Sequence, residues 1–428
     1  MAAGPREAQT FGAGPARLVT GDAGPGIPKA ALRDALPRVP DAARAGFPGG
    51  AVGCVSYERG ADVEGLPPDP RPAPGPDVWF GVYDTFAVTR PESGEVEVVS
   101  WGLREEGSFD ERLALRRAEE LEEALRAPAP PAAPPRAGSV PVAGGRLQRA
   151  SLDEAAHARA VEAVLEAIRR GDLYQANVTA RFDVATGVDP ADLFDGLLRD
   201  NPAPFARYLE TDRGVVVSCS PERLLAARGR AVESRPIKGT AARDPDPARD
   251  AGLARGLLAS PKDRAELLMI TDLLRNDLGK VCEPGTVRVP ALAAVESFPH
   301  LHHLVATISG RLRREHDALD ALEAVFPCGS IAGAPKRRAL QLLRELEPVP
   351  RGVYTGAVGW IGFDRTADFA VAIRTGTLAD GVFSFGSGGG IVIDSVAAAE
   401  WDELLLKARA FALALGVDVA GPASGRKR

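Results

Sequence analysis

Two periods of apolar spacing run along this chain, and their places predict its elements. Val161, Val164, Leu165 and Ile168 recur at helical spacing. They follow Ser151-Leu152-Asp153-Glu154, a capping-box pattern, and Gly171 stops the run. A strand-like stretch, Leu173 to Phe182, comes next. A second helix is predicted from Ser260-Pro261, cap and first turn, to about Leu278, carrying Glu266 and ending in Arg275-Asn276-Asp277. From Gly352 to Phe385 the period changes to two. Phe369, Val371 and Ile373 alternate with Ala370, Ala372 and Arg374, which predicts Arg374 on a face of small residues with room for a ligand. Asp380-Gly381 marks a hairpin between Asp368 to Leu378 and Val382 to Phe385. A last helix, Ser395 to Leu415, packs through Trp401, Leu404, Leu405, Ala408, Phe411, Ala412 and Leu415, with Glu400, Glu403 and Lys407 on the neighbouring stripe. Earlier in the chain, Val78 to Val88 reads as strand and Phe109 to Leu125 as helix.

The clearest interruption is Ala127 to Gly145, rich in Pro, Ala and Gly, which reads as a linker. We therefore divide the chain into an N-terminal region (1–126), the linker (127–147), a motif-dense catalytic region (148–418) and a short tail (419–428). With 428 residues, 45% hydrophobic and 26% charged, the composition is that of a globular protein. The net charge of −6, without a long basic stripe, argues against a nucleic-acid or anionic-membrane partner. No secretory signal or membrane span is read, so a cytoplasmic location is expected. Cys54, Cys219, Cys282 and Cys328 form no C-x-x-C pair and read as reduced, mostly buried thiols.

Several residues could carry chemistry. Ser387-Gly388-Gly389-Gly390 could let backbone N–H groups approach an anion, or be an ordinary turn. Gly329 to Lys336 places small residues and a hydroxyl ahead of a helix predicted from Pro335, an end that favours anions. Glu400 and Glu403, one turn apart, read either as a solvated face or, with Glu266, as oxygen ligands for Mg²⁺. Lys238 in Pro236-Ile237-Lys238-Gly239-Thr240 reads as a surface charge or as a nucleophile, the second requiring burial or a neighbouring cation. Among His300, His302 and His303, adjacent histidines on a strand point to opposite faces, which favours one positioned imidazole over a metal cluster.

These segments, in this order, resemble the chorismate-utilising enzymes: anthranilate synthase component I, aminodeoxychorismate synthase component I, and the isochorismate and salicylate synthases. The resemblance runs from about Ser151 to Gly416. It is carried by Gly171-Asp172-Leu173-Tyr174-Gln175-Ala176-Asn177, Ser220-Pro221-Glu222-Arg223, Pro236 to Thr240, Asp263-Arg264-Ala265-Glu266, Arg275-Asn276-Asp277, Gly329 to Lys336, and Gly388 to Ile391. More weakly it includes Gly49 to Gly53 and Phe80 to Asp84. It implies an α+β fold in which two large antiparallel sheets pack as a sandwich with helices outside. In the water-adding branch a base lysine stands where this chain has Gln175. The aminodeoxychorismate synthases carry the Pro-Ile-Lys-Gly-Thr form, whereas anthranilate synthases generally have a small residue at Lys238.

By that resemblance Lys238 is the nucleophile and Glu222 the acid, with Thr240 and His303 lining the ring. Tyr354, Arg374, Lys407, Gly389 and Gly390 bind substrate carboxylates, and Glu266, Glu403 and Glu400 hold Mg²⁺. The expected reaction is C4 amination of chorismate to 4-amino-4-deoxychorismate, serving 4-aminobenzoate and folate or related biosynthesis. The alternatives are anthranilate synthesis and a noncatalytic chorismate-binding subunit. No glutaminase signature is read, so ammonia is expected from a separate glutamine amidotransferase subunit or free in solution. Ala332 departs from the threonine common in the Gly-Ser-Ile-Thr-Gly-Ala-Pro-Lys form.

Overall fold

The computed structural model describes residues 8–12, 17–20, 26–39, 47–90, 93–127, 144–200 and 202–419. Most of the linker and nearly all of the tail lie outside these.

Helix starts follow from side chains that satisfy free first-turn N–H groups. Ser260 accepts from the Asp263 amide and opens Pro261–Gly279. Asp110 caps Glu111–Arg126. At the first predicted capping box the cap is Asp153, which accepts from the Ala156 amide and opens Glu154–Arg169. Ser151 instead accepts from the Arg181 amide, so the Ser-x-x-Glu box does not form. Lys336–Leu346 begins one residue after the predicted Pro335, and the last helix is Ala397–Leu415.

The described strands form three sheets. In the ten-stranded sheet, Ile237–Ala242, Leu301–Arg311, Ala231–Arg235, Arg223–Arg228, Ala367–Val371, Ala357–Gly362, Gly50–Val55, Val78–Tyr83 and Arg17–Thr20 lie in that order, and Arg288–Ser297 joins Leu301–Arg311. In the seven-stranded sheet the order is Gly333–Ala334, Gln175–Ala185, Val382–Ile391, Thr375–Ala379, Gly214–Ser220 and Phe205–Thr211, with Arg146–Ala150 beside Gln175–Ala185. The predicted strand Val78 to Val88 is two strands broken at Asp84. Its second part, Thr85–Arg90, belongs to a separate three-stranded sheet.

The two large sheets meet through a small apolar layer containing Cys54, Trp79, Val358 and Ala370 from one and Leu209 and Val216 from the other. Helices cover their outer faces. Leu267, Ile270 and Leu274 of Pro261–Gly279 pack on the larger sheet, and Leu404, Ala408 and Phe411 of the last helix pack on the smaller. This is the α+β sandwich the sequence led us to expect. Gly50–Val55 pairs with Ala357–Gly362 from end to end, so the ten-stranded sheet runs across the sequence boundary at the linker.

The chain passes between the sheets at two adjacent places. Gly214–Ser220 lies in the smaller sheet and Arg223–Arg228 in the larger, so Pro221-Glu222 is a crossing. Ala367–Val371 and Thr375–Ala379 likewise belong to different sheets, so the strand predicted as continuous breaks at Ala372-Ile373-Arg374. Arg374 has φ +49°, a left-handed conformation incompatible with strand alternation. The Val371 amide donates to Glu222 carbonyl oxygen (3.0 Å) and the Cys219 amide to Arg374 carbonyl oxygen (2.9 Å), which lock the crossings side by side.

Candidate active site

The paired crossings bring an acid and a cation to the same end of the space between the sheets. Glu222 is only 3% exposed. Burial pushes its carboxyl up to about 7, against the Ser330 hydrogen bond and the nearby charges of Lys238 and Lys407. Ser330 Oγ donates to Glu222 Oε1 over 2.9 Å. Arg374 is largely buried beside Cys219, and its guanidinium has no hydrogen-bond or ion-pair partner among the described residues. A buried cation without a counter-ion is a site for an anionic ligand. The guanidinium lines a recess with His303, His300, Phe298, Pro204 and Pro221.

Lys238 lies on Ile237–Ala242, the end strand of the larger sheet, and is partly buried rather than solvated. Its Nζ is 3.7 Å from Glu266 Oε2 on the helix packed over that strand. Across the gap is the glycine run. Ser387 to Gly390 is strand, paired with Asn177 to Ala180, and not the turn one reading allowed. A Cβ at Gly390 would sit 3.2 Å from Lys238 Nζ and 3.0 Å from Gln175 Nε2, so glycine there opens the space in which both side chains meet. Gln175 is fully buried, and neither of its amide atoms has a hydrogen-bond partner among the described residues. Beyond Phe385 this strand has lost Thr375–Ala379 from one side. Alternate N–H groups along 386–391 therefore face an open edge, one of the Gly389 and Gly390 pair among them.

Thr240 Oγ1 and His303 Nδ1 are 2.9 Å apart, tying the strand of Lys238 to its neighbour. Burial, helped by Arg374, pushes His303 down to about 4, so the imidazole is neutral near pH 7. His302 points the other way, to Ser297 and Asp250.

Glu400 and Glu403 flank Gly389: a Cβ there would meet Glu400 Oε2 at 3.0 Å and Glu403 Oε1 at 4.0 Å. Burial raises Glu400, which accepts from Ser395 Oγ over 2.7 Å. Burial also acts to raise Glu403, but Lys407, Lys262 and Lys238 hold it below the ordinary carboxylate range. Lys407 Nζ lies 2.7 Å from Glu403 and donates to Gly388 carbonyl oxygen. Lys262, one turn before Glu266, was not singled out in the sequence, although the i, i+4 spacing was visible.

No three His, Cys, Asp or Glu side chains among the described residues group as a metal cage. Glu266, Glu400 and Glu403 thus do not converge as a preformed triad: Lys238 takes the first, Ser395 the second and Lys407 the third. The donors nevertheless suit Mg²⁺, which takes one or two carboxylates and completes its shell with water and substrate oxygens.

Tyr354 sits apart from Lys238. Its ring packs on Gly386 and it lines a second recess with Thr179, Arg181 and Arg351, while burial pushes its phenol up. The four cysteines are free and buried. No helix among the described residues is long and apolar enough to cross a membrane.

Comparison with known proteins gives this arrangement its context. The pattern of the chorismate binding enzyme family matches residues 2–413. Anthranilate synthase component 1 of Streptomyces coelicolor is 42% identical over 398 residues, covering 91% of this chain and 78% of that one. Aminodeoxychorismate synthase component 1 of Klebsiella aerogenes is 39% identical over 358 residues, covering 83% and 75%. The crystal structure of anthranilate synthase component I from Streptococcus pneumoniae superposes with a TM-score of 0.81 at 28% identity, covering 96% of this chain and 93% of that one. The overall fold is thus that of anthranilate synthase component I, and the chain belongs to the chorismate-binding enzyme family.

Proposed function

We propose that this chain aminates chorismate at C4, giving 4-amino-4-deoxychorismate through a covalent adduct on Lys238. The observation that carries the reading is the meeting of Lys238 and Gln175 over Gly390, with the protonatable Glu222 close by. With its carboxyl near 7, Glu222 is partly protonated at neutral pH and can donate. In the first displacement the Lys238 lone pair forms the C2–N bond, the ring double bonds shift towards C4, and the C4 hydroxyl takes the Glu222 proton and leaves as water. In the second, ammonia bonds at C4, the double bonds shift back, and the C2–N pair returns to Lys238. The lysine leaves as the neutral amine it began as, and the new C4 ammonium sheds one proton, which restores the Glu222 carboxyl.

Arg374, Lys407 and an open-edge N–H of the glycine run would hold the substrate carboxylates, with Tyr354 packed on Gly386 further along that strand. Thr240 and the neutral His303 would line the ring. Mg²⁺ held by Glu266 and Glu403, with Glu400 beside them, would supply positive charge against the ring carboxylate. Ammonia would come from a separate glutamine amidotransferase subunit, and the setting would be cytoplasmic 4-aminobenzoate and folate, or related, biosynthesis.

The 42% identity to an anthranilate synthase favours a second reading, amination at C2 with loss of pyruvate. Purified protein with chorismate, Mg²⁺ and ammonium decides between them by product mass and retention. Aminodeoxychorismate supports C4 amination, and anthranilate overturns it. Lys238→Ala separates the covalent step from the rest: it is expected to lose the adduct and C4 amination, and an unchanged product and rate would remove the lysine from the mechanism.

A further inference from the structure

Ser330 lies in the segment ahead of the helix Lys336–Leu346, where the sequence suggested a hydroxyl for an anion at a helix end. Its side chain turns to the acid instead: Oγ is 2.9 Å from Glu222 Oε1. On its other side Cys328 Sγ is 3.2 Å away. The three side chains are all buried, with exposures of 3%, 4% and 2% for Glu222, Ser330 and Cys328.

Proton counting fixes the direction of this chain of contacts. A serine hydroxyl has one hydrogen, and an ionised carboxylate can only accept, so Ser330 donates to Glu222. Its oxygen then accepts, and Cys328 S–H is the donor. Burial, reinforced by the Glu222 charge, pushes the Cys328 thiol up to about 12, so it keeps its hydrogen across the working pH range. Because Oε1 is occupied by the serine hydrogen, the transferable proton of Glu222 belongs on Oε2.

We propose that Cys328, Ser330 and Glu222 form a directed hydrogen-bond relay in which Ser330 is a positioning residue, fixing the acidic proton on Glu222 Oε2 and making that carboxyl a stronger acid. The inference rests on Glu222 being the acid of the proposed reaction. The serine hydrogen bond favours the ionised carboxylate, so its loss leaves the proton more tightly held. The other groups acting on Glu222 are the cations Lys238 and Lys407 and the backbone at Ile237, all of which favour the charged form. Burial opposes them, and the Cys328 thiol lies beyond Ser330.

The test follows Glu222 directly. In the full-length protein, the carboxyl C=O infrared band assigned by its loss in Glu222→Gln is titrated in wild type, Ser330→Ala, Ser330→Thr and Cys328→Ala. Ser330→Ala is expected to move the midpoint up by about one pH unit, with Ser330→Thr restoring it. Cys328→Ala, which leaves the serine in place, is expected to shift it upward by less. The descending limb of kcat against pH should move with the band. An unmoved midpoint in Ser330→Ala overturns the proposal, and so does an unmoved midpoint in Cys328→Ala should the serine variant not fold. The infrared readout is independent of the product formed, so a protein that made anthranilate would overturn the C4 assignment and leave this test standing.

Discussion

Gln175 and Lys238 converge on the same missing side chain. The Cβ that Gly390 lacks would lie 3.0 Å from Gln175 Nε2 and 3.2 Å from Lys238 Nζ. Gln175 belongs to the smaller sheet and Lys238 to the larger, so the glycine lets two sheets present polar groups to one volume.

That geometry separates function from stability at Gln175. A fully buried amide with neither atom bonded costs about 1–3 kcal/mol. Gln175→Met, of similar length, is therefore expected to leave the protein at least as stable in urea unfolding while chorismate turnover falls. Lower stability with full turnover would mean that the amide serves the fold.

Arg374 should carry substrate affinity. Its buried guanidinium has no ion-pair or hydrogen-bond partner among the described residues, and a hydrogen bond to a charged group contributes about 1.5–3 kcal/mol. Arg374→Ala is expected to raise KM for chorismate about 10- to 100-fold. Steady-state kinetics checks this, and an unchanged KM counts against carboxylate binding there.

Glu222 should cost the fold what it gives the reaction. Its folded-state carboxyl, near 7 against an ordinary 4.5, holds a proton that the unfolded chain loses earlier. Stability therefore falls as pH rises through that window, and the penalty is complete above it. Glu222→Gln should abolish turnover yet gain on the order of 3 kcal/mol at pH 8, with little gain at pH 4. Denaturant melts at the two pH values measure the difference.

His157 should work in the opposite sense. It is 1% exposed against Trp401, neither ring nitrogen has a hydrogen-bond partner among the described residues, and burial pushes it down to about 4. The unfolded chain takes up a proton at an ordinary histidine value near 6.5, so stability falls as pH drops from there to 4. His157→Phe is expected to flatten that part of the stability–pH curve. Since Trp401 lies on the helix that carries Glu400 and Glu403, acid inactivation should ease with it.

Helices were the most legible part of the chain. Ser260-Pro261 and Gly416 bound their helices because caps are local chemistry. Strand continuity was less legible: Phe369 and Val371 do face away from Ala370 and Ala372, but that alternation hides the crossing at Arg374. Nothing local distinguishes a strand that changes sheets from one that does not. The motif order pointed to the family. The pairing of Ser330 with Glu222, 108 positions apart, is visible only once the sheets are assembled.

The strand Gly50–Val55 has a further consequence. It covers the whole of Ala357–Gly362, and its Cys54 helps fill the layer between the sheets. A chain cut to begin at residue 146 would bare that strand as an open edge, six residues long, a template for pairing with another molecule. The N-terminal region is thus the guard that keeps the catalytic half from polymerising through its own sheet.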